Sequence, residues 1–230
     1  MDYNNIFIYN ELVGGKSADE ILIFLYQHLN SIDVDDHLIL YADNCFSQNK
    51  NRFLISFMHF LIETKMFSSV ILKFLLKGHT HFAPDSCFGL ISNKLKETNV
   101  YTENELSKII NKVKNSNCYT YDNVYDWKSF LDNTYSGING HSKAAEIMVH
   151  QYNLGNVFYS TTLKYPVSDP SGNNYEYKIN IKSNLMSGLK TIDVKPSSNF
   201  TSNQIDDIKC IKNSGIIPSE FLEYYNDFII

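Results

Sequence analysis

Arginine is almost missing from this chain: Arg52 is the single one among 230 residues. Lysine does not restore a basic surplus, since 20 Lys and Arg stand against 25 Asp and Glu, a formal charge of −5. Nucleic-acid-binding faces are normally basic, so the overall balance gives polynucleotides no attraction and leaves that work to a local patch or a bound cation. The four cysteines, Cys45, Cys87, Cys118 and Cys210, include no C-x-x-C pair. Such spacing excludes a standard zinc ribbon or disulfide scaffold and fits reduced thiols of an intracellular protein, nuclear or cytoplasmic. No apolar run approaches membrane-spanning length, and Met1 leads into a polar stretch, so neither a membrane segment nor a secretory signal is expected. Internal repeats, coiled-coil heptads and low-complexity tracts are missing too. What is present is a folded composition, 43% hydrophobic and 14% aromatic, with room for one full core and an appendage or two small domains.

Apolar spacing divides the chain into alternating elements. Residues 6–10 form a short β-prone run that stops at Glu11 and the Gly14-Gly15 turn. Ser17 with Glu20 predicts a capping box, followed by a helix with Ile21, Leu22, Phe24, Leu25 and Leu29 inward. Asp33, Asp35 and Asp36 read as a solvated turn before a strand over 37–42. A helix from about 49 to 66 carries Phe53, Leu54, Phe57, Phe60 and Leu61 as a core stripe; residues 69–76 then read as a strand covered on both faces. Helices are expected from near Asp85, from Thr102 and around Trp127, with a strand over 118–124. The glycine-rich stretch 136–143 marks a boundary. Beyond it, 145–151, 156–164 and 174–182 predict an antiparallel meander, and 202–213 and 218–229 predict terminal helices. The expectation is an α/β fold: a mixed, largely parallel sheet with covering helices over 1–135, then a C-terminal antiparallel β-meander with short helices over 136–230.

Two polar segments interrupt this pattern where chemistry is expected. Asp43-Asn44-Cys45-Phe46-Ser47-Gln48-Asn49-Lys50-Asn51-Arg52 follows the strand 37–42, and Gly78-His79-Thr80-His81-Phe82-Ala83-Pro84-Asp85 follows the strand 69–76. Open α/β sheets bind ligands at the carboxyl ends of their strands. If the two strands are neighbours, Asp43 and Asp85 lie at the same sheet edge, and two carboxylates at close range call for a shared cation such as Mg²⁺ or Mn²⁺. Asn44, Gln48 and Asn49 could bind phosphate oxygens or supply amide ligands, Lys50 and Arg52 could neutralise phosphates, and His81 is a further substrate contact. His79 could move a proton near neutral pH. The inventory suits two-metal phosphoryl transfer, in which ions about 4 Å apart activate the attacking oxygen and stabilise the leaving one. The structural alternative is that Asp43 caps the next helix, Asn49 and Asn51 sit in turns, and His79 and His81 bond locally. A softer set, Cys45, Cys87, His79 and His81, could instead hold zinc, though at no standard spacing.

Asp43-Asn44-Cys45-x-x-Gln48-Asn49-Lys50-Asn51 followed by Gly78-His79-Thr80-His81-x-x-x-Asp85 resembles a transposon-derived domain family of unknown function with a ribonuclease H-like core of integrase and transposase type. Tyr9-Asn10-Glu11, the Gly14–Glu20 turn and the closing Ile216-Ile217-Pro218-x-x-Phe221-x-x-Tyr224-Tyr225 are similar as well. The resemblance implies that Asp43 and Asp85 are the second and third acidic metal ligands of a three-carboxylate site. It places the first ligand on a strand upstream of residues 6–11, so this reading expects a ribonuclease H-like sheet lacking its first strands. Such a chain would be inactive, partly active, or a domesticated module that binds nucleic acid or protein. Its unpaired strand edges would need a second copy or a partner chain to cover them.

Overall fold

The computed structural model describes residues 3–33, 36–45, 49–75, 83–163, 175–185, 192–196 and 199–229. The chain folds into two compact units, each assembled from separated stretches. One comprises residues 16–80 and 125–194; the other comprises 1–15, 81–124 and 195–230. A division at 135/136 would cut through the former, because the meander expected there joins the sheet of the preceding strands.

The unit built from 16–80 and 125–194 centres on a five-stranded sheet ordered β2 (His37–Ala42), β3 (Ser69–Phe74), β6 (Glu146–His150), β7 (Asn156–Ser160) and β8 (Tyr177–Asn180). β2 and β3 run parallel with Ala42 opposite Phe74, while β3, β6, β7 and β8 pair antiparallel in turn. The sheet is therefore mixed, but mostly antiparallel and not largely parallel as the alternation predicted, because the meander strands add to β3 instead of forming a sheet of their own. Ser17 does cap α1 (Ala18–Asn30): its backbone N–H donates to Glu20 Oε2 at 2.8 Å, completing the capping box. Asn51 caps α2 (Arg52–Glu63), accepting from the Leu54 N–H at 3.0 Å. Every residue from Leu54 to Ile62 is buried, so α2 is a core helix with no wet face along that stretch. α5 (Trp127–Thr134) adds Trp127, whose ring lies 5.1 Å from Phe57, 5.4 Å from Phe60 and 5.2 Å from Tyr26, all near edge-on. A short pair, β5 (Tyr135–Ser136) and β9 (Lys182–Ser183), closes beside it.

β3 is buried at all six positions, as the apolar run foretold, but one of them is Lys73. Its Nζ lies 3.1 Å from Glu146 Oε2 on the adjacent strand, and Tyr175 Oη donates to Glu146 Oε1 at 2.6 Å. The buried charge is thus paired across the β3–β6 register. β2 is an edge strand, with Ile39 and Tyr41 exposed.

In the other unit, β1 (Asn4–Ile8) pairs parallel with β4 (Ser116–Thr120). α3 (Ala83–Lys96) and α4 (Glu103–Ile110) cover the pair through Cys87, Ile91 and Ile110, joined by Val113 from the turn after α4, with Ile6, Ile8 and Leu95 packed against them. α6 (Ser202–Asn213) carries a capping box from Thr201 and Gln204. The terminal stretch expected as one helix is instead two short 3₁₀ turns, Ser219–Phe221 and Tyr224–Phe228. No described helix is long and apolar enough to cross a membrane.

Candidate functional site

The loop that leaves β2 is closed by its own side chains. Asp43 is exposed just past the strand end, and its Oδ1 accepts from the Cys45 N–H at 3.0 Å and from Asn49 Nδ2 at 2.6 Å. The first bond is an Asx turn, which bends the chain away from the sheet. The Asn49 and Lys50 N–H groups both donate to the Cys45 carbonyl, at 2.8 and 2.9 Å. Asn44 then ties the loop to the end of the neighbouring strand: its Nδ2 donates to the Leu75 carbonyl at 2.6 Å. The carboxyl ends of β2 and β3 are thus joined by a side chain as well as by register.

Lys50 is the buried member of this loop. Its Nζ donates to Asn44 Oδ1 at 3.1 Å and sits 4.7 Å from the centre of the Phe74 ring. Burial holds its pKa below the usual 10.5, since an ammonium loses hydration there. A second base, which the sequence did not single out, shares the surroundings. His141, in the short turn after Gly140, is held below 6.5 first by burial and then by the charge of Lys50. Its Nδ1 is shut off from solvent and has no hydrogen-bond partner among the described residues. Only the glycine-rich context marked His141 in the sequence, and that context signals a turn rather than a site. Arg52 is directed elsewhere, with Nη2 2.7 Å from Asp132 Oδ2 and its guanidinium 4.9 Å from the Phe53 ring centre.

Asn44, Asn49 and Lys50 therefore gather around the Asp43 loop, while Asn51 serves as the α2 cap. Gln48, His79 and His81 lie outside the described residues. Asp85 is exposed in the first turn of α3 and belongs to the other unit. Cys87, the thiol of the zinc alternative nearest to it in sequence, is buried in the apolar cluster and sits 3.4 Å from Ser116 Oγ. Among the described residues no group of three or more His, Cys, Asp or Glu side chains could hold a metal ion.

The donor chemistry at Asp43 suits a hard cation. Among the described residues, both bonds to its carboxylate fall on Oδ1. Mg²⁺ is commonly held by one or two carboxylates together with water and substrate phosphates, without a full protein cage. Asp43, with the amide oxygen of Asn49 beside it, would be this loop's contribution to such an ion.

His59, left without a role by its sequence position, is fully buried on α2 and bonds through Nε2 to the Leu154 carbonyl. Glu63, one turn on, accepts from Tyr135 Oη at 2.7 Å and Ser183 Oγ at 2.9 Å, and burial pushes the Tyr135 phenol far up. This network fastens α2 to the β5–β9 pair and is structural. No curated protein and no solved structure matches the chain. Residues 17–164, more than half of the sequence, match a domain of unknown function, DUF7869, and the chain belongs to that family.

Proposed function

We propose that this is a ribonuclease H-like domain of transposon ancestry, built for divalent-metal phosphoryl transfer on nucleic acid and retaining that chemistry in partial form. The observation that carries the reading is the exposed carboxylate of Asp43 just past the end of β2, in a parallel β2–α2–β3 unit whose strand ends Asn44 links. Carboxyl ends of parallel strands are where α/β sheets bind ligands. The resemblance carried by 43–51 together with 78–85 supplies the nucleic-acid and transposon part of the proposal. It assigns Asp85 the same role as Asp43 on sequence grounds.

When bound at Asp43, Mg²⁺ or Mn²⁺ would supply charge neutralisation of a phosphate and a more acidic water. The chain's own part is to hold and neutralise the substrate. Lys50 is a cation already stripped of much of its water, and an incoming phosphate oxygen would regain that lost stabilisation. Asn49 holds the Asp43 carboxylate in one orientation by its 2.6 Å bond. His141, neutral under most conditions because its pKa is lowered, can donate or accept without adding charge.

A second reading has its own observation. Asp43 Oδ1 closes the loop by two bonds, as a purely structural Asx turn would, which fits a domesticated module that binds nucleic acid or protein without cutting it. Incubation of supercoiled DNA and single-stranded RNA with the protein and Mn²⁺ separates the two. The catalytic reading expects nicks or cleavage that vanish in Asp43→Asn and separately in Asp85→Asn. Retained binding without cleavage in the native chain selects the second reading.

A further inference from the structure

The unit formed by 1–15, 81–124 and 195–230 contains a cavity of about 540 Å³, within the size range of small-molecule sites. Six aromatic rings line it: Tyr9, Tyr101, Phe200, Tyr224, Tyr225 and Phe228. Glu11, Glu103 and Asp207 line it too, and among its described lining residues none is basic. The rings are fixed by one another and by the backbone. Tyr225 Oη donates to the Tyr101 carbonyl at 2.5 Å, Tyr101 stacks on Phe221 at 5.3 Å, and Tyr224 and Phe200 meet Phe228 at 5.0 and 5.8 Å.

The three acids are not equivalent. Glu11 accepts from Gln204 Nε2 at 2.9 Å, and Asp207 is exposed at the rim. Glu103 lies at the start of α4, but Glu105 closes that helix end, accepting from the Tyr101 N–H at 2.9 Å while Thr102 caps the Glu105 N–H. Glu103 Oε1 is left shut off from solvent, with no hydrogen-bond donor among the described residues. A buried carboxylate oxygen without a donor is costly, and a cation relieves it better than any neutral group. Aromatic rings add attraction for a cation through their negative faces. Burial, then the charge of Glu103, pushes the Tyr224 phenol up, so that ring stays neutral beside the acid. An anion would meet three carboxylates, and a neutral apolar ligand would leave Glu103 unpaired.

We propose that this cavity binds a small organic cation, an ammonium or guanidinium on a compact apolar body, with the half-buried Glu103 as its counter-charge through Oε1 and the aromatic lining as its walls. The site is independent of the Asp43 loop and of the phosphoryl-transfer reading.

The test is ligand-observed NMR and calorimetry on the whole chain with choline, spermidine and arginine amide. Its control is 3,3-dimethylbutanol, the uncharged carbon counterpart of choline. At least one of the three cations is expected to bind saturably at millimolar concentration or below, and Glu103→Gln to weaken it about tenfold or more. If choline is among the binders, 3,3-dimethylbutanol is expected to bind at least about tenfold more weakly than choline on the native protein, a comparison that needs no variant. Asp207→Asn, at the exposed rim, should weaken the cation less than Glu103→Gln does. Binding of none of the three cations overturns the proposal. So does equal affinity for choline and its carbon counterpart, or a folded Glu103→Gln variant with unchanged affinity.

Discussion

At the scale of single residues, the chain stakes its stability on a few buried polar groups. Lys73 and Glu146 form an ion pair within the sheet, both almost fully buried and 3.1 Å apart. Removing one partner strands the other charge, so Lys73→Ala is expected to cost about 3–5 kcal/mol in chemical denaturation, whereas the double change Lys73→Met with Glu146→Leu should restore most of it. A double variant no more stable than the single one would contradict that account. Gly137 is a constraint of another kind, set by the backbone. Its φ is +91°, and a Cβ there would come within 2.8 Å of the Asn180 carbonyl oxygen, so Gly137→Ala is expected to destabilise by about 1–3 kcal/mol. Two histidines set a pH dependence. Burial, then the charge of Lys50, lowers His141 below 6.5; burial, then the charge of His37, lowers His150. As pH falls, the unfolded chain takes up these protons before the folded one does. Stability from these groups is therefore complete above their unfolded value near 6.5 and declines as pH drops through the window beneath it. Urea midpoints should fall between about pH 7 and pH 5, and less steeply in His141→Gln/His150→Gln; an unchanged slope would refute the assignment.

At the scale of elements, most of what formed was written in the local pattern. The Ser17–Glu20 capping box, the α2 stripe, the fully buried β3 and the antiparallel meander were all legible, because each depends on residues close in sequence or on simple periodicity. Asn51→Ala, which removes the α2 cap, is expected to cost about 1 kcal/mol, read as a shift in thermal midpoint. Trp127→Ala, which opens a hole among Phe57, Phe60 and Tyr26, is expected to cost about 3–5 kcal/mol. The C-terminal stretch 218–229 was not legible: its apolar spacing suits a helix, yet Pro218 opens it and its aromatic rings pack on one another, leaving two short turns. β2, read from sequence as a strand, lies at the edge of the sheet among the described strands. If a second copy of the chain pairs along this edge, the exposed Ile39 and Tyr41 lie at the contact. Ile39→Lys/Tyr41→Lys is expected to lower self-association in sedimentation velocity, and an unchanged distribution would show that the edge does not recruit a copy.

At the scale of the whole molecule, the parts are local in origin and their assembly is not. Strand and helix order is a local property, so the α/β alternation could be read from the chain, whereas the pairing could not: the meander strands join β2 and β3 in one mostly antiparallel sheet, and β1 pairs with β4 apart from it. Which stretches gather into one compact unit is not local. Residues 1–15, 81–124 and 195–230 form a unit through contacts across long separations, and no composition shift marks those borders. The candidate site divides along the same line. The Asp43, Asn44, Asn49 and Lys50 cluster was legible as one motif, whereas His141 entered only through folding, more than ninety residues downstream. Asp43 is where the account of function is most exposed. Calorimetric titration of Mn²⁺ into the whole protein at millimolar concentration, repeated with Asp43→Ala, tests it most directly. Saturable binding to the native chain, lost in the variant, is the expected result. No heat of binding, or a variant that binds Mn²⁺ as well as the native chain does, would contradict it.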